Sequence, residues 1–430
     1  MKIDQSSINL KKFKNIYINE NYLKWFRDKD VFEYINKIPK NLDELKSQVK
    51  ILKNKKNSIL FGIFYKNFHI GNLNISKINY KKNSATIGIL IGDKTFRSKG
   101  LFKVIFSILK KKLFKKKIYI FNLGVSKNNF RAIKAYKNSS FKIIDFSNKI
   151  LRMEYNYFKS KIIIGGAQFK TNYGITNKNI QTNKEAQKII NYCKKNLIDH
   201  IDLAEKYYIS NNLKIFKNKI STIDTKIFLE DINKKNFSKF LFKKYKYFNL
   251  YKFFIHDGND IFKKNSNHIF KKLNNLKQKK IIKKIGISIY DLKTIPKLIK
   301  KFKFDVIQVP YNIIDKRIEK YQKYLAKKNI LIYVRSVFLQ GILLNDLKNK
   351  PIMTSIFNKI RKSRKHLNQK NLNILLNHVY SNQYIDKILI GVKDLSELKE
   401  IFNIKLDFKL HKIKFNKEEI KFAQDPRKWS

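Results

Sequence analysis

The first third of the chain has the pattern of short strands followed by helices. Strand-like apolar runs at residues 59–65, 70–75 and 86–92 are separated by short polar turns, which is typical of antiparallel neighbours. A helical pattern of apolar positions follows them. Another strand-like run, residues 118–125, then precedes a second helical segment. This alternation predicts a mixed α/β domain.

The remainder of the chain repeats one unit, in which a continuous apolar run is followed by a helical pattern. Continuous apolar strands between helices predict a parallel sheet that is covered on both faces. Eight such units in about 250 residues match the length of a closed (β/α)8 barrel. The runs lie at residues 162–166, 198–203, 220–227, 253–256, 285–288, 305–309, 330–336 and 388–391.

The join between the two patterns does not have the composition of a flexible linker. A strand-like segment near residue 155 leads almost directly into the apolar run that begins at residue 162, without a stretch rich in Pro, Gly or Ser. We therefore expect two domains, residues 1–158 and residues 159–430.

Composition and charge exclude a disordered chain. With 43% hydrophobic and 14% aromatic residues, the 430 residues can form full cores in both domains. The formal net charge of +63 is typical of proteins that bind nucleic acid, but lysine far outnumbers arginine and is spread over the whole length. A biased coding composition with a lysine-covered surface explains this distribution better. We therefore expect no specific nucleic-acid partner.

The signals for cellular location favour the cytoplasm. Cys193 is the only cysteine, so an internal disulfide cannot form. The N-terminus lacks the apolar core of a signal peptide, and no uncharged apolar run reaches the roughly 20 residues of a membrane span. We expect a soluble cytoplasmic protein without a membrane partner. No spacing of His, Cys or Asp predicts a metal site.

Polar side chains stand where consecutive strands of the predicted barrel end. Asp202, Lys226 and His256 each close an apolar run, and Tyr207 follows Asp202 in the next loop. Active sites of such barrels form at these carboxyl ends. A phenol is a poor acid at its ordinary pKa of about 10, but a neighbouring ammonium lowers that pKa. The set therefore predicts a proton-delivery site.

Several motifs accompany these strand ends. They are Gly-Gly-Ala-Gln-Phe from Gly165, Asp-Leu-Ala-Glu-Lys-Tyr from Asp202, and Gly-Ile-Ser ending at Ser288. With these motifs the segment from residue 161 onwards resembles the aldo/keto reductases. The catalytic tetrad of that family maps onto Asp202, Tyr207, Lys226 and His256. The resemblance implies that Tyr207 is the proton donor, that Lys226 lowers its pKa, that Asp202 anchors Lys226, and that His256 holds the carbonyl.

The same resemblance implies a nicotinamide dinucleotide that supplies a hydride to a carbonyl carbon. The residues implied for cofactor binding are Ser288, Gln308, Ser336, Gly391 and Lys393. Ile289 replaces the family's nicotinamide-binding asparagine, and Glu397 replaces a residue that helps to hold a 2′-phosphate. NADP is the cofactor expected from the family, and NAD remains possible.

The first domain contains a basic, glycine-bearing turn before a helix, Arg-Ser-Lys-Gly-Leu from Arg97, and a later Asn-x-x-Ala-x-x-x-Tyr pattern from Asn129 to Tyr136. Free backbone N–H groups at a helix start attract a pyrophosphate. The domain resembles the Gcn5-related N-acetyltransferases (GNAT), although Phe102 replaces a usual Gly or Ala. The resemblance implies an acetyl-CoA site. Its pyrophosphate contacts would be the amides of Arg97, Ser98, Lys99, Gly100 and Leu101. Asn129 would contact the cofactor, and Tyr136 would protonate the departing thiolate. The general base stays unassigned.

Together, the sequence predicts a GNAT α/β acetyltransferase fold followed by a (β/α)8 TIM barrel of aldo/keto reductase type. The expected function is a bifunctional N-acetyltransferase and NAD(P)H-dependent carbonyl reductase that acts on a small molecule. A nucleotide-linked keto or amino sugar of surface-glycan synthesis is the expected substrate. The alternatives are a polybasic nucleic-acid-associated protein on an enzyme-derived scaffold, and a protein N-terminal acetyltransferase with an inactive barrel. The oligomeric state remains open.

Overall fold

Two β-sheets organise the structure, one in each part of the chain. The computed structural model describes residues 4–35, 37–169, 182–204, 220, 222–233, 237, 239, 241, 249–256, 258–262, 266–345, 350–367, 370–404, 412–425 and 429. Contacts divide the chain into two units, Met1–Ser160 and Lys161–Ser430. Among the helices that the structure describes, none combines the length and the apolar character that a bilayer crossing requires.

The first unit contains a seven-stranded mixed sheet in the order β1-β2-β3-β4-β5-β7-β6. The strands are β1 Ile8–Lys12, β2 Ile59–Tyr65, β3 Phe68–Asn79, β4 Ser84–Ile91, β5 Ile120–Ser126, β6 Lys142–Phe146 and β7 Ile150–Asn156. The helices are α1 Glu20–Trp25, α2 Lys29–Phe32, α3 Leu42–Asn54, α4 Leu101–Phe114, α5 Phe130–Asn138 and α6 Tyr157–Lys161. The predicted α/β class is confirmed.

Strands β4 and β5 are parallel neighbours that separate along their length. They pair only from Ser84 to Thr86 against Ile120 to Asn122, so the later parts of these fully described strands diverge. Helix α4 follows β4 and buries its apolar face, including Ile105, Leu109 and Leu113. The start of α4 therefore lies beside a sheet that opens at this end.

The second unit is a closed barrel of parallel strands. The strands are β8 Ile162–Gly165, β9 His200–Ala204, β10 Thr222–Ile227, β11 Asn249–Ile255, β12 Lys284–Ser288, β13 Val306–Pro310, β14 Leu331–Arg335 and β15 Ile385–Ile390. The helices are α7 Asn183–Lys195, α8 Leu229–Asn233, α9 Ser266–Gln278, α10 Ile295–Lys301, α11 Gln322–Lys327, α12 Pro351–Leu367, α13 Asn371–Ser381, α14 Leu395–Phe402 and α15 Lys417–Gln424. This architecture confirms the predicted (β/α)8 barrel.

The barrel interior contains a buried polar cluster near the amino-terminal ends of its strands. His200 Nε2 lies 2.9 Å from Asp224 Oδ1, and Lys252 Nζ lies 3.6 Å from Asp224 Oδ2. The ammonium of Lys252 also lies 4.5 Å from the centre of the Tyr333 ring. Since side chains two positions apart share one face of a strand, this cluster lies below the residues at the strand ends.

Burial controls the charge state of this cluster. Burial, together with Lys387 and Lys284, lowers the pKa of Lys252 to about 7, although Asp224 opposes the shift. Burial also lowers the pKa of His200. Burial alone would raise the pKa of the Asp224 carboxyl, but His200 and Lys252 hold it below its ordinary value.

Replacement of Lys252 by methionine is expected to flatten the pH dependence of stability between pH 7 and pH 10. The folded state holds Lys252 with a pKa of about 7, against about 10.5 when the lysine is solvated, so the unfolded chain binds more protons in this range. Stability of the wild-type chain should therefore rise with pH, relative to Lys252→Met, by at most about 1.4 kcal/mol per pH unit. Chemical denaturation at pH 7, 8 and 9 measures the difference. The exposed Lys323→Met variant is the control, and parallel curves for all three proteins would contradict the assignment.

Candidate active sites

The carboxyl ends of the barrel strands surround a cavity of about 200 Å³. Most of the residues that the sequence predicted for this unit line it. These are Asp202, Lys226, His256, Ser288, Ser336, Gly391 and Lys393. Parallel strands of a closed barrel bring residues that are distant in sequence to one mouth, as the strand-end pattern indicated.

Lys226 and Asp202 form a short ion pair at this cavity. Lys226 Nζ lies 2.6 Å from Asp202 Oδ1, and both side chains are largely buried. The other oxygen of Asp202, Oδ2, accepts a hydrogen bond of 2.9 Å from Gln308 Nε2. Asp202 is therefore held from both sides, and it fixes the ammonium of Lys226 at the cavity wall.

Gln308, which the sequence assigned to a cofactor carboxamide, contacts Asp202 in this structure. Its side chain is fully buried and does not line the cavity, and its Oε1 has no hydrogen-bond partner in the described part of the chain. In this structure the side-chain amide of Gln308 helps to position the Asp202 carboxylate. Binding of Gln308 to a cofactor carboxamide stays a prediction.

His256 and Gly166 shape the cavity wall. The imidazole of His256 stacks on Phe228, with ring centres 4.6 Å apart and planes within 11°. At Gly166 a β-carbon would lie only 2.2 Å from Leu203 Cδ2 and 2.9 Å from the Asp202 carbonyl oxygen, so only glycine permits this approach.

Tyr207, the predicted proton donor, lies outside the described residues.

The cavity reaches the loop after β15. Lys393 Nζ lies 3.4 Å from Glu397 Oε1, and the Lys393 backbone N–H donates to Glu397 Oε2 at 2.8 Å. Asp394 caps α14 by accepting a hydrogen bond from the Glu397 N–H. The carboxylates of Glu397 and Asp394 therefore lie near Lys393, the lysine that the sequence assigned to the cofactor.

Arg335 and Tyr290 were missed in the sequence. Both line the cavity, at the exits of β14 and β12. The loop after β14 also has non-glycine residues with positive φ, at Ser336 (59°), Leu339 (50°) and Gln340 (55°). Such conformations are uncommon and concentrate at functional sites. The signal in the sequence was an arginine at the end of a predicted strand, directly before the predicted cofactor residue Ser336.

The turn before α4 in the first unit presents backbone donors. Ser98 and Gly100 have positive φ values of 62° and 72°, and Gly100 is the residue before the helix. The N–H groups of Ser98, Gly100 and Leu101 donate to no acceptor in the described part of the chain. Because positive φ values alternate with negative ones in this turn, its N–H groups point into one concave site at the start of a 14-residue helix. Such a site fits a pyrophosphate.

The Arg97 side chain has a structural role beside this turn. Nη1 lies 2.6 Å from Asp28 Oδ2, Nε donates to the Ile91 carbonyl at 2.9 Å, and Nη2 donates to the Gly92 carbonyl at 2.5 Å. The guanidinium is therefore directed at the protein. The backbone N–H of Arg97, which the sequence assigned to the pyrophosphate, donates to the Lys94 carbonyl at 3.1 Å. Lys99 lies within the same turn.

Asn129 and Tyr136 lie on the helix that follows β5. Asn129 caps α5 by accepting a hydrogen bond from the Ala132 N–H at 3.0 Å, so its NH₂ group is directed away from the helix backbone it caps. The Tyr136 ring packs edge-on against Phe102, with ring centres 4.7 Å apart. Burial raises the pKa of Tyr136 to about 12, so its hydroxyl is protonated at neutral pH.

Solved structures similar to the chain fall into two groups. A spermidine N-acetyltransferase from Vibrio cholerae, in complex with CoA and spermine, is 18% identical at a TM-score of 0.31, covering 35% of this chain and 96% of its own. An aminoglycoside acetyltransferase in complex with coenzyme A is 16% identical at a TM-score of 0.32, covering 35% and 95%. An aldo-keto reductase from Bacillus halodurans, in its holo form, is 15% identical at a TM-score of 0.44, covering 61% and 91%.

Comparison at the level of sequence gives one family. No curated protein matches the chain significantly. The family model described as "Aldo/keto reductase family" matches residues 161–420, which is more than half of the chain and includes every strand of the barrel. The chain therefore belongs to the aldo/keto reductase family.

Proposed function

We propose that the second unit reduces a carbonyl with a nicotinamide dinucleotide. The observation that supports this most directly is the Lys226–Asp202 contact of 2.6 Å at a cavity that His256 also lines. A bound reduced nicotinamide would supply the hydride. Ser288, Ser336 and Gly391 line the cavity where the sequence expects that cofactor, and the cavity continues to Lys393.

Side chains of this protein would supply the proton that the carbonyl oxygen gains during reduction. The ammonium of Lys226 stabilises a negative charge that develops on a nearby phenol, and Asp202 keeps the ammonium charged and in place. Tyr207 is the phenol that the motif assigns to this step, and the His256 ring would orient the carbonyl oxygen. NADP and NAD both remain candidates, because Glu397 contacts Lys393 and opposes a 2′-phosphate there.

The first unit is proposed to transfer an acetyl group from acetyl-CoA to an amine. Three observations support this: free N–H groups at residues 98, 100 and 101, the opening between β4 and β5, and a protonated Tyr136 on α5. The N–H groups would hold the pyrophosphate, and Tyr136 would protonate the thiolate as it leaves.

The two activities together suggest a substrate in which a keto group is reduced and an amine is acetylated. A nucleotide-linked amino sugar of surface-glycan synthesis has this chemistry, and we propose it as the substrate class. We also propose a cytoplasmic location, where Cys193 would remain a thiol. This thiol is buried, and burial raises its pKa to about 12.

The test is to incubate the full chain with acetyl-CoA, NADPH or NADH, and a panel of nucleotide-linked keto and amino sugars. Mass spectrometry should find products heavier by an acetyl group, by two hydrogens, or by both. In a parallel incubation with peptides that have free N-termini, acetylated peptides with no reduced product would favour a protein N-terminal acetyltransferase instead. Absence of both products across the panel, and of both cofactors' turnover, would reject the proposal.

Replacement of Tyr136 by phenylalanine is expected to lower acetyl transfer by about 100-fold, the contribution typical of a positioned acid. The Phe102 contact survives the change because the ring is retained. Thiol release from acetyl-CoA measures the effect, while carbonyl reduction by the same protein serves as an internal control. The exposed Tyr80→Phe is the matched variant. Equal acetyl transfer by Tyr136→Phe and Tyr80→Phe would remove Tyr136 from the mechanism.

A further inference from the structure

Arg335 projects from the end of β14 into the cavity of the barrel and stacks on an aromatic ring. Its guanidinium carbon lies 3.8 Å from the centre of the Tyr290 ring, and Nη2 donates to the Ile289 carbonyl at 3.2 Å. A guanidinium that stacks through its face keeps the donors along its edge available. The stack and the carbonyl contact thus fix the plane of Arg335 without using all of its N–H groups.

The charges that line the cavity are not balanced. The described lining contains the cations Lys226, Arg335 and Lys393, and the carboxylates Asp202 and Glu397. Lys226 lies 2.6 Å from Asp202, and Lys393 lies 3.4 Å from Glu397. Among the described residues no carboxylate lies within ion-pair distance of Arg335, so Arg335 is the surplus cation of this lining.

Arg335 contacts the exit of a strand other than the one that precedes the expected phosphate loop. The predicted phosphate loop follows β15 at Gly391 and Lys393, whereas Arg335 contacts the exit of β12, beside Ser288. The resemblance places the uncharged end of a reduced nicotinamide near Ser288. An arginine with free edge donors at that end matches an oxyanion that does not come from the cofactor.

We propose that Arg335 binds an oxyanion, a carboxylate or a phosphate, on the carbonyl substrate. Arginine binds both groups through two parallel N–H···O hydrogen bonds, and such charge-assisted bonds are stronger than neutral ones. Tyr290 is the platform that holds the guanidinium in its plane. This inference rests on the proposed carbonyl reductase activity and narrows its substrates to anionic carbonyl compounds.

Three aldehydes of similar shape test the inference with the full chain and reduced cofactor: 4-carboxybenzaldehyde, 4-formylphenyl phosphate and 4-nitrobenzaldehyde. The nitro group is a neutral counterpart of the carboxylate. Arg335→Gln is expected to lower kcat/KM for the anion that Arg335 recognises by about 10- to 100-fold, the range expected when a hydrogen bond to a charged group is lost. The loss for 4-nitrobenzaldehyde should be at least tenfold smaller. Arg335→Lys, which retains the charge, should recover part of the activity through KM.

The two anionic aldehydes identify which oxyanion is recognised. Equal losses of Arg335→Gln on all three aldehydes would overturn the inference, as would a tenfold weaker binding of NADPH, measured by fluorescence, without discrimination among substrates. If the wild-type chain reduced none of them, the proposed reductase function would fail separately. Calorimetric binding of terephthalate then decides the role of Arg335: tenfold weaker binding by Arg335→Gln supports it, and unchanged binding rejects it.

Discussion

Replacement of Lys226 by methionine is expected to lower kcat for carbonyl reduction by about 1,000-fold. Methionine preserves the length of the side chain but removes the ammonium that lies 2.6 Å from Asp202 Oδ1 at the cavity wall. Acid–base groups of this kind contribute about 10²- to 10⁴-fold to a rate. Consumption of NADPH at saturating substrate measures the effect, and acetyl transfer by the same protein should be unchanged.

Two further variants separate chemistry from folding. Lys226→Met leaves the buried Asp202 carboxylate with Gln308 alone, which destabilises the barrel. The double variant Lys226→Met/Asp202→Asn removes both charges and should recover stability without recovering activity. Tyr207→Phe should abolish reduction with no change in buried charge. Substantial reductase activity in the double variant would show that the ion pair does not participate in proton delivery.

Replacement of Arg97 by alanine is expected to destabilise the first unit by about 3–5 kcal/mol, the typical cost of removing one partner of a buried ion pair. Asp28 would keep the Asp30 N–H, and its remaining described cation would be Lys94, whose side chain is 72% exposed and lies 3.4 Å away. Two carbonyl groups would lose their donor. Burial alone raises the pKa of Asp28, but Arg97, the Asp30 backbone and Lys94 hold that pKa below its ordinary value.

Thermal unfolding of the full chain, followed with separate probes for the two units, measures this effect. A loss of 3–5 kcal/mol should lower the transition of the first unit by roughly 10 °C. Arg131→Ala is the matched control, since Arg131 is 61% exposed and lies 3.7 Å from Asp30, and exposed pairs contribute little. A transition in Arg97→Ala within 2 °C of that in Arg131→Ala would contradict the structural role of Arg97.

Local sequence patterns predicted the features that depend on the spacing of apolar residues and on the residues at which strands end. The run at residues 59–65 coincides with β2, because continuous β-branched and aromatic residues bounded by turns leave few alternatives. Asp202, Lys226 and His256 were found because each closes a strand, and parallel strands of a barrel end at one mouth. The fold and the position of the site followed from these patterns.

Features that depend on contacts between distant residues were not predicted. Strand β1 reads Ile-Asn-Leu-Lys-Lys, and only its pairing with β2 makes it a strand. The contacts of the Arg97 guanidinium were not predicted, because its partner Asp28 lies 69 positions away. Arg335 lies in the predicted strand at residues 330–336, and its stack on Tyr290 joins residues 45 positions apart that no local pattern connects.

Two polar contacts between β9 and β10, Lys226 with Asp202 and His200 with Asp224, have a consequence for how these strands align. On the parallel neighbours, Asp202 lies opposite Asp224, yet Lys226 contacts Asp202 and His200 contacts Asp224. A shift of one strand by two residues would keep every apolar side chain on its proper face, so burial alone does not oppose it. In one direction such a shift would bring the two carboxylates together, and in the other it would bring Lys226 against His200. Charge complementarity therefore selects the native register where hydrophobicity does not.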